Sequence, residues 1–115
     1  MLSIEDIKTY ITPVVEKYPV DKVILYGSYA RGDASDTSDI DLIVESRGRL
    51  HNRKIFALGG ELLDAVPVRV DVYDILEIEN PSDMYENIRK EGITIYDSDS
   101  LFCKFYPETL DKIIR

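Results

Sequence analysis

The sequence predicts an α/β domain, equally describable as α+β, in which helices pack on a small mixed sheet of three to four strands. Three observations carry that prediction. Some segments place apolar residues at helical spacing and others alternate them with polar ones. The two kinds interleave in the order α, β, short α, β, α, β, α, β, α. The 115 residues are 44% apolar and 31% charged, which suits one small core.

The first helix opens at Ser3, a cap residue with the Asp6 carboxylate three positions on. Ile4, Ile7, Ile11, Val14, Val15 and Tyr18 mark one helical face. Pro13 is expected to kink this helix or restart it, and Pro19 to end it. Val20 to Tyr26 reads as a buried strand stopped by Gly27. Residues 28–38 are small and polar, a short helical turn and a loop. Asp39 to Glu45 is the second strand. Residues 50–64 form a helix weakened in its middle by Gly59-Gly60. After Pro67, Val68 to Tyr73 alternates cleanly as a third strand, and Ile75 to Ile78 is a short link. Pro81-Ser82-Asp83 opens a helix that carries Met84, Tyr85 and Ile88 and ends at Gly92. Ile93 to Tyr96 is the last strand, and Pro107 to Arg115 reads as a terminal amphipathic helix.

Composition narrows the function. Lys and Arg number 14 against 22 Asp and Glu, a net charge of −8, which argues against a general binder of duplex DNA. The 8 Tyr and 3 Phe argue against a disordered tail. No apolar run approaches the roughly 20 residues that span a bilayer. Met1 to Asp6 lacks the basic start and apolar stretch of a signal peptide, so no membrane partner is expected. A single cysteine, Cys103, forms no internal disulfide, and a reducing compartment, the cytoplasm, is the simplest location. Cys103 lies among Leu101, Phe102 and Phe105 and reads as a buried thiol. His51, the one histidine, suits a surface or capping role, and one His with one Cys makes no zinc site. Arg47, Arg49, Arg53 and Lys54 read as a solvated basic face.

Chemistry concentrates in a few carboxylates. Asp39 and Asp41 are two apart in a strand and so share a face. Held together without a counter-ion, they repel and raise each other's pKa. A divalent cation removes the conflict, and hard oxygen donors select Mg²⁺ or Mn²⁺. Asp71 has the opposite parity to Val68, Val70 and Val72. If the second and third strands are neighbours, Asp71 joins the pair, and three carboxylates can hold two metals. Gly27-Ser28 follows the first strand, where a glycine allows close approach to phosphate and a helical turn offers N–H groups. Arg31 is the nearest cation, placed to touch a phosphate or to pair with Asp33. Each piece alone is ordinary: a turn, a solvated strand face, an Asp71 that pairs with Arg69. Together, Gly27-Ser28, ten residues, Asp39-Ile40-Asp41 and then Val70-Asp71-Val72 form a distinctive composite.

Residues 27–44, Gly-Ser-Tyr-Ala-Arg-Gly-Asp-Ala-Ser-Asp-Thr-Ser-Asp-Ile-Asp-Leu-Ile-Val, resemble the core motif of the minimal nucleotidyltransferases (MNT) of the DNA polymerase β superfamily. The resemblance continues through Val70-Asp71-Val72 and through Asn87 to Tyr96. It spans roughly residues 4–96 of a single domain 1–115, with 97–115 as a C-terminal extension. It implies a polymerase β-like fold in which Asp39 and Asp41 bind two metal ions, Mg²⁺ first, and the triphosphate. Asp71 would complete the metal site and activate the acceptor hydroxyl as base or ligand. Gly27 and Ser28, with Arg31 nearby, would hold the β- and γ-phosphates. The implied reaction moves a nucleoside monophosphate, AMP from ATP by family habit, to an acceptor hydroxyl and releases pyrophosphate, by positioning and charge neutralisation. Minimal members of this family pair with HEPN proteins, which are RNase toxins, and act as their antitoxins, several by adding AMP groups to a tyrosine of the toxin. A chain of this size has no room for a domain that grips a template, so the acceptor is small or a protein with its own docking surface. The net charge of −8 complements a basic RNA-binding site on such a toxin.

Two other readings stay open: a free-standing enzyme that modifies a small molecule, and an idle domain that inhibits its partner by binding alone. The presence of all three carboxylates argues against the second. Tyr26 and Tyr29 flank the Gly-Ser turn; Tyr26 reads as core, and Tyr29 is left unassigned between the core and the neighbourhood of the nucleotide. The apolar cluster Leu101, Phe102, Phe105, Tyr106, Leu110, Ile113 and Ile114 either folds back over the sheet or makes a surface for a partner or a homo-oligomer.

Overall fold

The computed structural model describes residues 1–50 and 52–98. His51, Cys103, the apolar cluster from Leu101 and the terminal helix from Pro107 therefore lie outside the described residues. The elements are α1 (Ile4–Val15), β1 (Lys22–Tyr26), α2 (Ser28–Arg31), β2 (Ile40–Glu45), α3 (Asn52–Ala65), β3 (Val70–Asp74), α4 (Asp83–Glu91) and β4 (Ile93–Asp97). A 3₁₀ turn, Ile75–Glu77, forms the link after β3. The four strands make a mixed sheet in the order β3-β2-β1-β4, as the α/β reading expects. β1 is antiparallel to both β2 and β4, and β2 is parallel to β3. A parallel pair needs a crossover, and α3 supplies it.

Local chemistry explains most element ends. The Asp6 N–H donates to Ser3 Oγ and the Ser3 N–H to Asp6 Oδ2, both at 3.0 Å, a reciprocal cap. Those bonds hold the Asp6 carboxyl below its ordinary value, the backbone bond from Ser3 first. Pro13 does not break α1; it sits in the last turn, where little helix remains to be interrupted. The helix stops at Val15, before the expected end at Pro19. Tyr18 instead donates its hydroxyl to Glu61 of α3 at 2.5 Å, and Lys17 pairs with the same carboxylate. That bond, first among its causes, pushes the Tyr18 hydroxyl up to about 12. α4 starts at its cap Ser82, whose Oγ accepts the Tyr85 N–H at 3.0 Å, and stops at Gly92. A Cβ at Gly92 would collide with Ile24 and with the Ile88 carbonyl, so the chain needs glycine to pass this close to the sheet.

Strand alternation sorts the side chains onto two faces. On one, Val23, Leu25, Ile40, Leu42, Val44, Val70 and Ile95 pack against Ile7, Ile11 and Val15 of α1 and Leu58 and Leu62 of α3. On the other, Ile24 and Ile43 meet Ile75 and Ile88 in a smaller cluster. Arg89 of α4 reaches over this second face to Glu45 Oε1 at 2.8 Å. The two tyrosines that flank the Gly-Ser turn go to different faces. Tyr29 is buried in the main core, while Tyr26 is half-buried on the second face. Between them the chain leaves β1 at Gly27 and enters α2, so strand alternation no longer sets the facing of Tyr29. Among the described residues, no helix is long and apolar enough to cross a membrane.

Candidate active site

The second face changes character along its length. Ile24 and Ile43 are covered by α4, and beyond them the sheet carries carboxylates. In the sheet register Asp41 lies opposite Tyr26 of β1 and opposite Asp71 of β3. Asp39 sits one residue before β2, held there because the Ile40 N–H donates to the Arg69 carbonyl at 2.9 Å. Tertiary structure thus brings Asp39, Asp41 and Asp71 to one end of one face, as the spacing and the parallel pairing require.

Their electrostatics follow from that closeness. The Asp41 carboxyl is pushed above its ordinary value by burial first, then by the charges of Asp71 and Asp39, with Arg31 pulling the other way. Arg69 stands between the outer two: its Nε is 3.5 Å from Asp71 Oδ1 and 4.0 Å from Asp39 Oδ2. Among the described residues, no group of three or more Asp, Glu, His or Cys side chains converges closely enough to hold an ion as placed. Arg69 pairs with the two outer carboxylates, whereas Asp41 has no such pair with it. From the sequence, Arg69 reads only as a partner for Asp71. Its parity with Asp71 and Tyr73 was the available signal. Tyr73 shares the face, and its hydroxyl is pushed up by burial, then by Asp71 and Asp41.

Gly27 positions Asp41 by what it lacks. Its φ is 77°, in the left-handed region, and a Cβ there would lie 2.7 Å from Asp41 Oδ2. The carboxylate therefore rests directly on the backbone of the turn. α2 follows at once: the Arg31 N–H donates to the Gly27 carbonyl at 3.0 Å, and the Gly32 and Asp33 N–H groups both donate to the Ser28 carbonyl. The tight turn keeps Gly27, Ser28 and Arg31 in sequence beside Asp41. Arg31 pairs with Asp33, Nε to Oδ2, at 3.3 Å. Arg47 and Arg49 are elsewhere. Both pair with Asp21, at 2.9 and 2.5 Å, beyond the other end of β1.

A small mixed sheet with paired acidic strand residues after a Gly-Ser turn is the arrangement that the resemblance to nucleotidyltransferases implies. The chain belongs to the polymerase beta nucleotidyltransferase family, whose model matches residues 9–101. A candidate protein adenylyltransferase of Methanocaldococcus jannaschii is 35% identical over 75 residues, 65% of this chain and 70% of that protein. The protein adenylyltransferase MntA of Thermococcus cleftensis is 35% identical over 49 residues, 39% of this chain and 50% of its own. Among solved structures, one described as a candidate minimal nucleotidyltransferase superposes with a TM-score of 0.66 at 25% identity, covering 80% of this chain and 95% of that one. A chain from the complex of tri-AMPylated Shewanella oneidensis HEPN toxin with MNT antitoxin superposes at 0.63 with 17% identity, covering 97% and 99%, and shares the fold.

Proposed function

We propose that this nucleotidyltransferase moves an adenylyl group from ATP to a hydroxyl of a partner protein, a HEPN-type toxin that it neutralises as antitoxin. The observation that carries the reading is the grouping of Asp39, Asp41 and Asp71 on one sheet face, with Asp41 seated on the Cβ-less Gly27. The names of the sequence relatives support the adenylyl donor and a protein acceptor. The fold likeness to a toxin–antitoxin complex supports the partner class.

The donor set is all oxygen and suits a hard divalent cation such as Mg²⁺, whose charge would offset the mutual repulsion of Asp41, Asp71 and Asp39 once their side chains close on it. Asp39, Asp41 and Asp71 would hold it. When bound, such an ion supplies charge neutralisation for the oxygens around the α-phosphorus. The chain's own groups do the rest. The Gly27-Ser28 turn offers backbone N–H groups and the Ser28 hydroxyl to the β- and γ-phosphates, since the first turn of a helix has no internal acceptors for them. Arg31 adds positive charge at the same turn. Asp71 takes the proton of the attacking hydroxyl. The hydroxyl oxygen bonds to the α-phosphorus, the bond from that phosphorus to the bridging oxygen breaks, and pyrophosphate leaves.

The test is transfer of label from α-labelled ATP, with Mg²⁺, to the HEPN-type toxin of the same genome. Label on the toxin, lost with the Asp39→Ala/Asp41→Ala variant, is the expected result. No label on the toxin with any of the four NTPs overturns the proposal.

A further inference from the structure

A groove of about 380 Å³ runs between α3 and β3, and Asp71 lines it together with apolar residues. Phe56, Gly60 and Leu63 fall at i, i+4 and i+7 on α3 and form one wall. Phe56 is 78% exposed and Leu63 52%, large apolar side chains that the core leaves uncovered. The opposite wall is β3, among the described residues an edge strand of the sheet. The Arg69 carbonyl accepts from Ile40 of β2, so residues 69, 71 and 73 turn their backbone groups inward. Val70 and Val72 turn theirs outward, into the groove. Gly59 and Gly60 lie inside a helix, where glycine is the poorest former short of proline. A Cβ built on either meets nothing within 4 Å, so no contact within the described fold asks for glycine there.

We propose that this groove docks the acceptor: an extended segment of the partner protein that adds to β3 as a further strand and presents a hydroxyl residue to Asp71. The inference rests on the proposed protein nucleotidylation and names the form its acceptor takes. Three features select an extended chain over a helix or a small molecule. The outward N–H and C=O groups of Val70 and Val72 are satisfied by an extended main chain. The two glycines leave room for its backbone. Asp71 belongs to both the groove and the carboxylate group, so whatever lies in the groove is at the reaction centre. Pleating then sets the acceptor's pattern. The hydroxyl residue lies on the Asp71 face, and its two neighbours lie on the α3 face against Phe56 and Leu63, giving apolar–hydroxyl–apolar. The charged residues that line the groove, Asp71 and Glu77, are both acidic and favour Lys or Arg beside that pattern. In the transfer the hydroxyl proton passes to Asp71, its oxygen bonds to the α-phosphorus of ATP, and pyrophosphate departs with the electrons of the broken bond.

The test uses the full chain with the HEPN-type toxin of the same genome, α-labelled ATP and Mg²⁺. Phe56→Glu/Leu63→Glu alters only exposed side chains, and Gly60→Leu fills the groove from its α3 wall. The expected result is a KM for the toxin raised about tenfold or more, with kcat at saturating toxin and the affinity for Mg-ATP unchanged. In parallel, amide exchange read by NMR should slow at Val70 and Val72 of the wild type when toxin is added. An unchanged KM together with unprotected Val70 and Val72 amides overturns the proposal. So does protection of those amides by this chain alone as it dimerises, which would assign the groove to a second copy. If the wild type transfers no label yet the toxin protects Val70 and Val72, docking stands and the nucleotidylation reading fails.

Discussion

The two faces of the sheet are built from the same strands and bear different loads. On the α1–α3 side, Val23, Leu25, Ile40, Leu42 and Val44 are each at most 1% exposed. On the other side, the same two strands bury only Ile24 and Ile43 under α4 and then turn to Asp41 and Glu45, with Asp71 alongside on β3. The period of two lets one segment serve both purposes without compromise. The apolar set closes the core, and the alternate set tolerates a carboxylate conflict that would be costly inside it. Stability and chemistry are thereby separable, residue by residue, along β2.

Four substitutions probe that separation, in order of expected effect. Leu42→Ala, on the core face, should cost about 2–5 kcal/mol, a large part of the about 5–15 kcal/mol that holds a domain of this kind, read as a fall in the denaturant midpoint. A loss below about 1 kcal/mol would mean that the two faces do not divide the work. Asp41→Asn should lower transfer about 10²–10³-fold while raising the melting temperature at pH 7. The sign follows from the raised carboxyl. Its protonated form is favoured by folding, so the stability it contributes is full below its ordinary value of 3.8 and is lost as pH rises through the raised value. Asn escapes that loss, and the gap between variant and wild type should close in acid. A variant that melts lower than wild type at pH 7 would show that Asp41 supports the fold.

Gly27→Ala should cost about 1–2 kcal/mol through its left-handed backbone, and should also impair transfer, because the new Cβ displaces the Asp41 carboxylate. If transfer is intact while stability falls, the seating of Asp41 on this turn is incidental. Arg69→Gln should have the smallest effect on stability, under about 1 kcal/mol, because its pairs with Asp39 and Asp71 are exposed. The change should shrink further in high salt; a salt-independent loss would place Arg69 in the structural half of the molecule.

Much of this was readable from short-range patterns. The caps at Ser3 and Ser82, the stop at Gly92 and the strand turn at Gly27 are set by backbone hydrogen bonds and by steric room within a few residues. Asp39 and Asp41 were paired by parity alone. The early end of α1 at Val15 was not readable, since Lys17 and Tyr18 beyond it are held by Glu61 on another helix. The burial of Tyr29 was not readable for a related reason: the facing of a side chain after a tight turn is fixed by what it packs against.

The chain's local order determined the elements, the carboxylate parity and, through its motif, the family. Only the tertiary structure decided that β3 lies beside β2 in parallel register, which brings Asp71 and Arg69 to Asp41 and leaves β3 at the edge facing α3. The physical reason is range. Propensity, capping and alternation act over a few residues, whereas the order of strands is settled by which apolar faces can be buried together across the whole sheet.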